Sequence, residues 1–471
     1  MTAVVDLIAE AQTTEQRFLR QIFVRDQMAE WSKDPLLMAR ADGVWYWDVH
    51  GKKYLDALSG IYTVSVGHNN RRVIEAIQRQ LDRLHFSPPM HGSNPVAVQL
   101  ANLLSDLTTA SLGAVRAVGS RGVESHWTTK FECAGSEVTE AAIKLARQYH
   151  RLTGNPGKYK IISRYLSWHG STMGSLSASG LKSRRAVNEP LAAGFIHVFP
   201  PTCYRCPFGK SYDDDCGITC ATLIGDVIEM EDPRTVAAVM VEPIGHTGGI
   251  IDPPVEYLPL LREICDRYNV LLVFDEIITG MGRTGHLFAA ETFGVVPDVI
   301  CTGKGLSGGY VPLSAMICRG SIADAFWGPV SENPGFVEGH TFEGSPLACA
   351  AGIAVIREIM EQDLCGNARR QGERLRAGFE RLARKYNIIG DIRGKGLLQG
   401  IEFVRDPQTK ARFDVEPGIG MRIGRRALAN GLLCRFDPHW LAFGPALCVT
   451  AEQIDEMLDR LDRSIDQALH E

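Results

Sequence analysis

Seven short apolar runs spaced between residues 131 and 319 constrain this chain more than any other feature. They read FECAG, YKIIS, FIHVFP, VAAVMVEP, VLLVFDE, DVICTG and LSAMICR, and helix-like stretches separate them. Runs such as Val270–Phe274 lack polar alternation, as expected of strands buried on both faces. Strands alternating with helices imply an α/β domain on a mostly parallel sheet. Between the first two runs, Val138, Ala141, Ala142 and Leu145 make one helical face that Gly154 can end. Near the N-terminus, GVWYWDVHGKKYLDAL (43–58) alternates and turns at His50-Gly51, which predicts a hairpin. Beyond about 345 the chain changes to long helices with a few strands. Its last helix opens on a Thr450-Ala451-Glu452-Gln453 capping box and carries Ile454, Met457, Leu458, Leu461, Ile465 and Leu469 on one face. The expected organisation is a large α/β domain over 76–340. A smaller α+β domain is expected from both chain ends, 1–75 and 341–471.

Charge and apolar run lengths narrow the function classes. A net charge of −5 gives no general attraction to nucleic acid or acidic membranes. No apolar run reaches the 18 or so residues of a membrane helix, and no secretory leader is visible, so a cytoplasmic protein is expected. Of the twelve cysteines, eight are scattered singly and four cluster as Cys203, Cys206, Cys216 and Cys220. That cluster is either a zinc site or a surface loop of reduced thiols. The C-x3-C end and the lack of a histidine favour the loop, so no metal is expected.

The chemistry gathers where strands end. Asp275 follows the buried run 270–274, and a buried carboxylate costs several kcal/mol unless a cation or donors meet it. Gly280–Gly285 spells G-x-G-x-x-G, which raises a nicotinamide-dependent dehydrogenase as a rival. Five residues separate it from the strand end, however, and Asp298 opens the next strand instead of closing it. Gly135-Ser136 sits where a strand gives way to a helix, a place for a phosphate or for a plain N-cap serine. Lys304 lies among glycines after the next strand, solvated or facing a ligand. A phosphate cradle, a buried aspartate and a strand-end lysine together suit pyridoxal phosphate. The ring nitrogen's proton would then be the partner of Asp275.

At these residues the sequence resembles the class III, or omega-type, aminotransferases, pyridoxal-phosphate enzymes of fold type I. The likeness runs from DALSGIYTVSVGHNN to FGPALCVTAEQIDEML. It implies Gly135 and Ser136 as phosphate ligands, Trp168 as the aromatic stacked on the cofactor, and His169 beside it. It implies Asp275 at the pyridinium nitrogen, Ile277 on the opposite ring face, and Lys304 as the Schiff-base lysine. Thr341, in GHTFEGSP, would reach the phosphate of a neighbouring subunit, so a homodimer with shared sites is expected, either alone or paired into a tetramer. The motif also makes GMGRTG a family loop unrelated to dinucleotides. Glu242, in VEPIG, is a further site candidate or a structural hydrogen-bonding group.

Departures carry information about substrate. Ile278 stands where relatives acting on 4-aminobutyrate often have glutamine, and it resembles amine:pyruvate-type enzymes. The cysteine insertion resembles a taurine:pyruvate-like branch. Pyruvate is therefore the expected acceptor in a ping-pong transamination, with an amine or omega-amino acid as donor. Arg435 would bind the acceptor carboxylate, its alternative being a surface pair with Asp437, and Tyr62 and Trp168 would wall the substrate pocket. Racemisation or decarboxylation could use the same machinery. The stretch 108–130 is longer and more polar than the resemblance leads one to expect.

Overall fold

The computed structural model describes residues 23–24, 28–113, 115, 124–331, 333, 335–414 and 416–470. Its central sheet has seven strands: β1 (Trp127–Glu132), β2 (Lys160–Arg164), β3 (Phe195–Val198), β4 (Val236–Val241), β5 (Leu271–Asp275), β6 (Val299–Thr302) and β7 (Ser314–Arg319). They lie in the order β1-β7-β6-β5-β4-β2-β3. Only β7 runs against its neighbours; it pairs antiparallel with both β1 and β6. All six other strands therefore point their carboxyl ends at one edge. β4 and β5 are buried at every position, as their unbroken apolar runs require.

The helix Gly135–Leu152 packs Val138, Ala141, Ala142 and Leu145 against this sheet and gives way at Gly154, whose φ of +81° a residue with a Cβ would resist. The predicted hairpin forms, Trp45–Asp48 pairing with Lys53–Asp56. Lys53–Asp56 also pairs parallel with Leu432–Leu433, so both ends of the chain share one sheet. A third sheet joins Ile389–Lys395, Leu398–Phe403, Trp440–Phe443 and Arg435–Asp437. The final helix, Ala451–Leu469, carries the expected capping box: the Gln453 amide donates to Thr450 Oγ1 and the Thr450 amide to Gln453 Oε1. Its buried face stops at Ala468; Leu469, expected on that face, is exposed because the helix ends there. Within the unusual stretch 108–130, residues up to Gly113 finish the helix Pro95–Gly113 and Trp127 opens β1, while 114 and 116–123 lie outside the described residues.

Candidate active site

Every strand-end candidate meets at the carboxyl edge of the sheet. A cavity of about 150 Å3 is lined by Gly135 and Ser136 after β1, Trp168 and His169 after β2, Glu242 after β4, Asp275 and Ile277 from β5 onward, and Lys304 after β6. This is where an open parallel sheet binds its ligands. Gly170, Ile244 and Ile278 complete the wall. Gly170 and Ile244 escaped the sequence reading because only the fold brings them there.

Asp275 is 4% exposed, and both its oxygens are met. His169 Nδ1 lies 2.8 Å from Oδ2, and the Ile277 amide donates to Oδ1 at 3.1 Å. Glu276, next in sequence, points elsewhere. It accepts from the amides of Ala289 and Ala290 at 2.7 and 2.9 Å and from Thr279 Oγ1 at 2.9 Å, tying the loop to the next helix. Burial still pushes its carboxyl up to about 7. The paired acids Asp275 and Glu276 thus divide their work, one facing the cavity and one the scaffold.

Glu242 meets both a loop backbone and the cavity. It accepts a hydrogen bond from the Trp168 backbone, and it lines the cavity with Oε2 buried and without a hydrogen-bond partner. Burial raises its carboxyl to about 7, against the pull of His169 and of Arg164, whose Nη2 is 3.9 Å from Oε2. Lys304 follows β6 with φ +40°, a left-handed conformation that costs a lysine energy and clusters at functional sites. Burial lowers its ammonium pKa, while Asp275 and Glu242 draw it back up.

The phosphate reading also has a place. Ala134, not Ser136, is the N-cap of the helix, and Glu137 accepts from the Cys133 and Ala134 amides at 2.9 and 3.2 Å. The Gly135 and Ser136 amides therefore face the cavity end of the helix without hydrogen-bond partners among the described residues. Ser136 Oγ accepts from the Ser171 amide at 2.9 Å, which fixes the next loop across the cradle. A Cβ at Gly170 would come within 2.7 Å of the Ser136 Cα, and one at Gly135 within 2.9 Å of Ile277 Cδ1. A side chain at Gly170 would press on the Ser136 backbone across the cradle, while one at Gly135 would have to displace the Ile277 side chain.

A second cavity of about 430 Å3 adjoins the first, sharing Trp168, Ile278 and Lys304. Tyr62, His246, Arg184 and Arg435 also line it. Arg435 faces this cavity, Nη1 3.3 Å from His246 Nε2, with its guanidinium over the Trp440 ring, and its charge also opposes the burial that raises the Asp437 carboxyl. Tyr62 stacks edge-on against His246, ring centroids 4.7 Å apart. It closes a left-handed turn in which Ser59, Gly60, Ile61 and Tyr62 all have φ between +47° and +71°. Such a run costs non-glycine residues ~1–2 kcal/mol each and persists only where its surroundings impose it. Here Gly60 N donates to Asp56 at 2.8 Å and Ser59 Oγ to the Gly444 carbonyl at 2.6 Å.

Arg283, from GMGRTG, holds the same turn. Fully buried, it donates to Ser59 Oγ at 3.0 Å and to the Pro445 carbonyl. The loop is thus a scaffold joint between distant parts of the chain. Asp298, the acid that a dinucleotide fold would need elsewhere, is locked in a buried ion pair, 2.9 Å from Arg262. The nicotinamide alternative thus loses the one motif that raised it.

Thr341 is not brought to either cavity; it lies exposed in the turn before the helix Pro346–Glu361. Cys203, Cys206, Cys216 and Cys220 line one small void, yet no three of their sulfurs come within 4.8 Å of one another. Among the described residues, the one trio of donor atoms that close is Glu132, Glu137 and His340. No helix among the described residues is long and apolar enough to cross a membrane.

Comparison with known proteins agrees with this geometry. The family model Aminotransferase class-III matches residues 27–465. The chain is 34% identical over 442 residues to adenosylmethionine-8-amino-7-oxononanoate aminotransferase of Geobacter sulfurreducens, covering 93% of this chain and 94% of that one. It is 33% identical over 438 residues to beta-alanine–pyruvate aminotransferase of Pseudomonas aeruginosa, covering 92% of each. The solved (S)-enantioselective omega-transaminase from Thermomicrobium roseum superposes with a TM-score of 0.88 at 30% identity, over 99% of this chain and 98% of that one. With the cradle, the aspartate and the lysine around one cavity, the chain belongs to the class III aminotransferases, pyridoxal-phosphate-dependent enzymes of fold type I that move amino groups between amines and keto acids.

Proposed function

We propose that this enzyme transfers an amino group from an amine or omega-amino acid to pyruvate, yielding alanine, by a ping-pong route. The observation that carries the reading is the position of Lys304, on the wall common to the 150 Å3 cavity and the 430 Å3 cavity. Pyridoxal phosphate, when bound, supplies the electron sink that makes the substrate's Cα–H bond acidic. Gly135 and Ser136 would hold its phosphate, Trp168 and Ile277 its ring faces, and Asp275, oriented by His169, its ring-nitrogen proton. Lys304 carries the cofactor and then moves the proton at the substrate carbon, a task helped by the burial that lowers its pKa. Glu242 supports the Trp168 loop from below.

Arg435 in the outer cavity supports a carboxylate-bearing acceptor, because a planar guanidinium grips a carboxylate in two places. A relative named for pyruvate adds to that choice. The exposed Thr341 suits a homodimer in which that threonine serves the neighbouring subunit. Residues 76–340 would form the cofactor domain and 1–75 with 341–471 the smaller one, in a cytoplasmic enzyme. The test is alanine formation from pyruvate and a panel of amines, with protein whose absorption spectrum shows bound cofactor. Release of carbon dioxide from an amino acid substrate, or inversion of alanine, without amino transfer to a keto acid, would replace this reading by decarboxylation or racemisation.

A further inference from the structure

Glu132, the last residue of β1, is 1% exposed, and neither of its side-chain oxygens makes a hydrogen bond among the described residues. A carboxylate buried in that state is costly unless a cation meets it. The transfer reaction gives it no work, since it lines neither the cofactor cavity nor the outer one. Its neighbours decide what can meet it. Donor atoms of Glu132, Glu137 and His340 all lie within 4.8 Å of one another, and His340 Nε2 is 3.7 Å from Glu132 Oε2.

The charge around this trio is short of cations. Glu338 and Glu343 join Glu132 and Glu137, so four carboxylates gather here. Two lysines answer them, and each is engaged: Lys130 pairs with Glu343, and Lys144 with Glu338 at 2.6 Å. His340 Nε2 also stands 3.0 Å from Glu338, so a protonated imidazole would be divided between two acids. Glu137 takes the Cys133 and Ala134 amides on Oε2, and its other oxygen makes no hydrogen bond among the described residues. Two carboxylates and one imidazole are a donor set for a divalent transition metal. Such an ion holds its ligands at about 2.0–2.2 Å, which puts adjacent donors roughly 3–4 Å apart. The trio reaches that spacing by small side-chain rotations. His340, with its side chain 37% exposed, leaves a way in from solvent.

We infer that Glu132, Glu137 and His340 form a binding site for one divalent transition-metal ion. Its place in the fold gives it a structural role. Glu132 ends β1, Glu137 lies in the first turn of the helix Gly135–Leu152, and His340 belongs to the segment that carries Thr341. A bound ion therefore clasps that segment to the strand and helix that form the cradle. It takes no part in the transfer itself. Binding energy gained only in the folded state appears as added stability.

The test adds MnCl2 to holoenzyme stripped with a chelator. Mn2+ prefers carboxylate ligands, so the thiols of Cys203, Cys206, Cys216 and Cys220 do not compete for it. Loss of the free ion's paramagnetic resonance signal should count one ion per chain, and excess ZnCl2 should displace it. Thermal unfolding should move to higher temperature when the ion binds. Glu132→Gln and His340→Ala should each weaken binding about tenfold or more. Retention of the cofactor absorption band shows that a variant has folded. Should Glu132→Gln fail that check, His340→Ala, at a partly exposed position, carries the test. No binding by the unmodified enzyme overturns the inference. So does binding that the folded variants leave unchanged, or binding that is lost in Cys203→Ser.

Discussion

His169 Nδ1 stands 2.8 Å from Asp275 Oδ2, with both side chains closed to solvent. His169 Nε2 is buried and without a hydrogen-bond partner. The imidazole therefore serves mainly to aim a carboxylate. Held on one oxygen by His169 and on the other by the Ile277 amide, Asp275 presents its charge to the cavity in one orientation. Asp275→Asn keeps the shape and removes the charge. Turnover should fall by several orders of magnitude, a loss of ~3–4 kcal/mol or more in transition-state stabilisation. Steady-state rates with saturating cofactor check this. Near-normal rates would hand the role to another acid, and Glu276, bound to the Ala289 and Ala290 amides, is poorly placed to take it.

Glu242 makes stability depend on pH. Its carboxyl is raised from 4.5 to about 7 by burial, so the folded apoprotein binds this proton more tightly than the unfolded chain does. That contribution, about 3 kcal/mol, is complete below pH 4.5 and is lost as pH rises through 7. Glu242→Gln has no proton to lose. Compared with the unmodified apoprotein, the variant should gain about 2–3 kcal/mol of stability on going from pH 5 to pH 8. Urea unfolding at the two pH values measures it, and parallel curves would count against a buried, protonated Glu242.

Arg435→Ala should separate acceptors. Pyruvate would lose ~2–4 kcal/mol of transition-state binding, the scale of a charge-assisted pair held out of water. An aldehyde acceptor, with no carboxylate to hold, would lose little. Matched kcat/KM measurements decide it, and equal losses would reduce Arg435 to a packing partner of Trp440 and His246.

Arg283 couples folding to the site. Arg283→Met leaves the Pro445 carbonyl and Ser59 Oγ without their buried donor and releases the left-handed turn that carries Tyr62. Destabilisation of ~2–4 kcal/mol is expected, with a rise in substrate KM. Thermal or urea unfolding beside kinetics would show both effects, and a loss of stability with unchanged KM would separate the turn from the pocket.

Much of this was legible in the chain because the chemistry sits at strand ends. Unbroken apolar runs located β4, β5 and β6, and the polar residue after each run, Glu242, Asp275 or Lys304, marked the ligand edge. Periodicity placed the helix Gly135–Leu152 but not its cap: the Ala134 carbonyl and the Glu137 side chain do the capping that a serine at 136 suggested. The left-handed turn at Ser59–Tyr62 carried no sequence sign, since three of its four residues disfavour that conformation and contacts from Asp56 and from residues 283, 444 and 445 impose it. Ile244, Arg184 and His246 were missed for the same reason. Long-range folding alone assembles them. The GMGRTG motif misled at the level of pattern, because Arg283 turns inward to bind backbone and hydroxyl oxygens and not outward to a phosphate.

The central claim is that Lys304 is the residue that carries the cofactor. Reduction of the holoenzyme with borohydride fixes pyridoxyl to whichever lysine holds it, and peptide mapping by mass spectrometry then reads the position. The label should appear on Lys304 and vanish in Lys304→Ala, which should still bind pyridoxal phosphate through the Gly135-Ser136 cradle and Asp275 but lose transamination. A label on another lysine, such as Lys144 or Lys210, would contradict the assignment and with it the geometry built around Lys304.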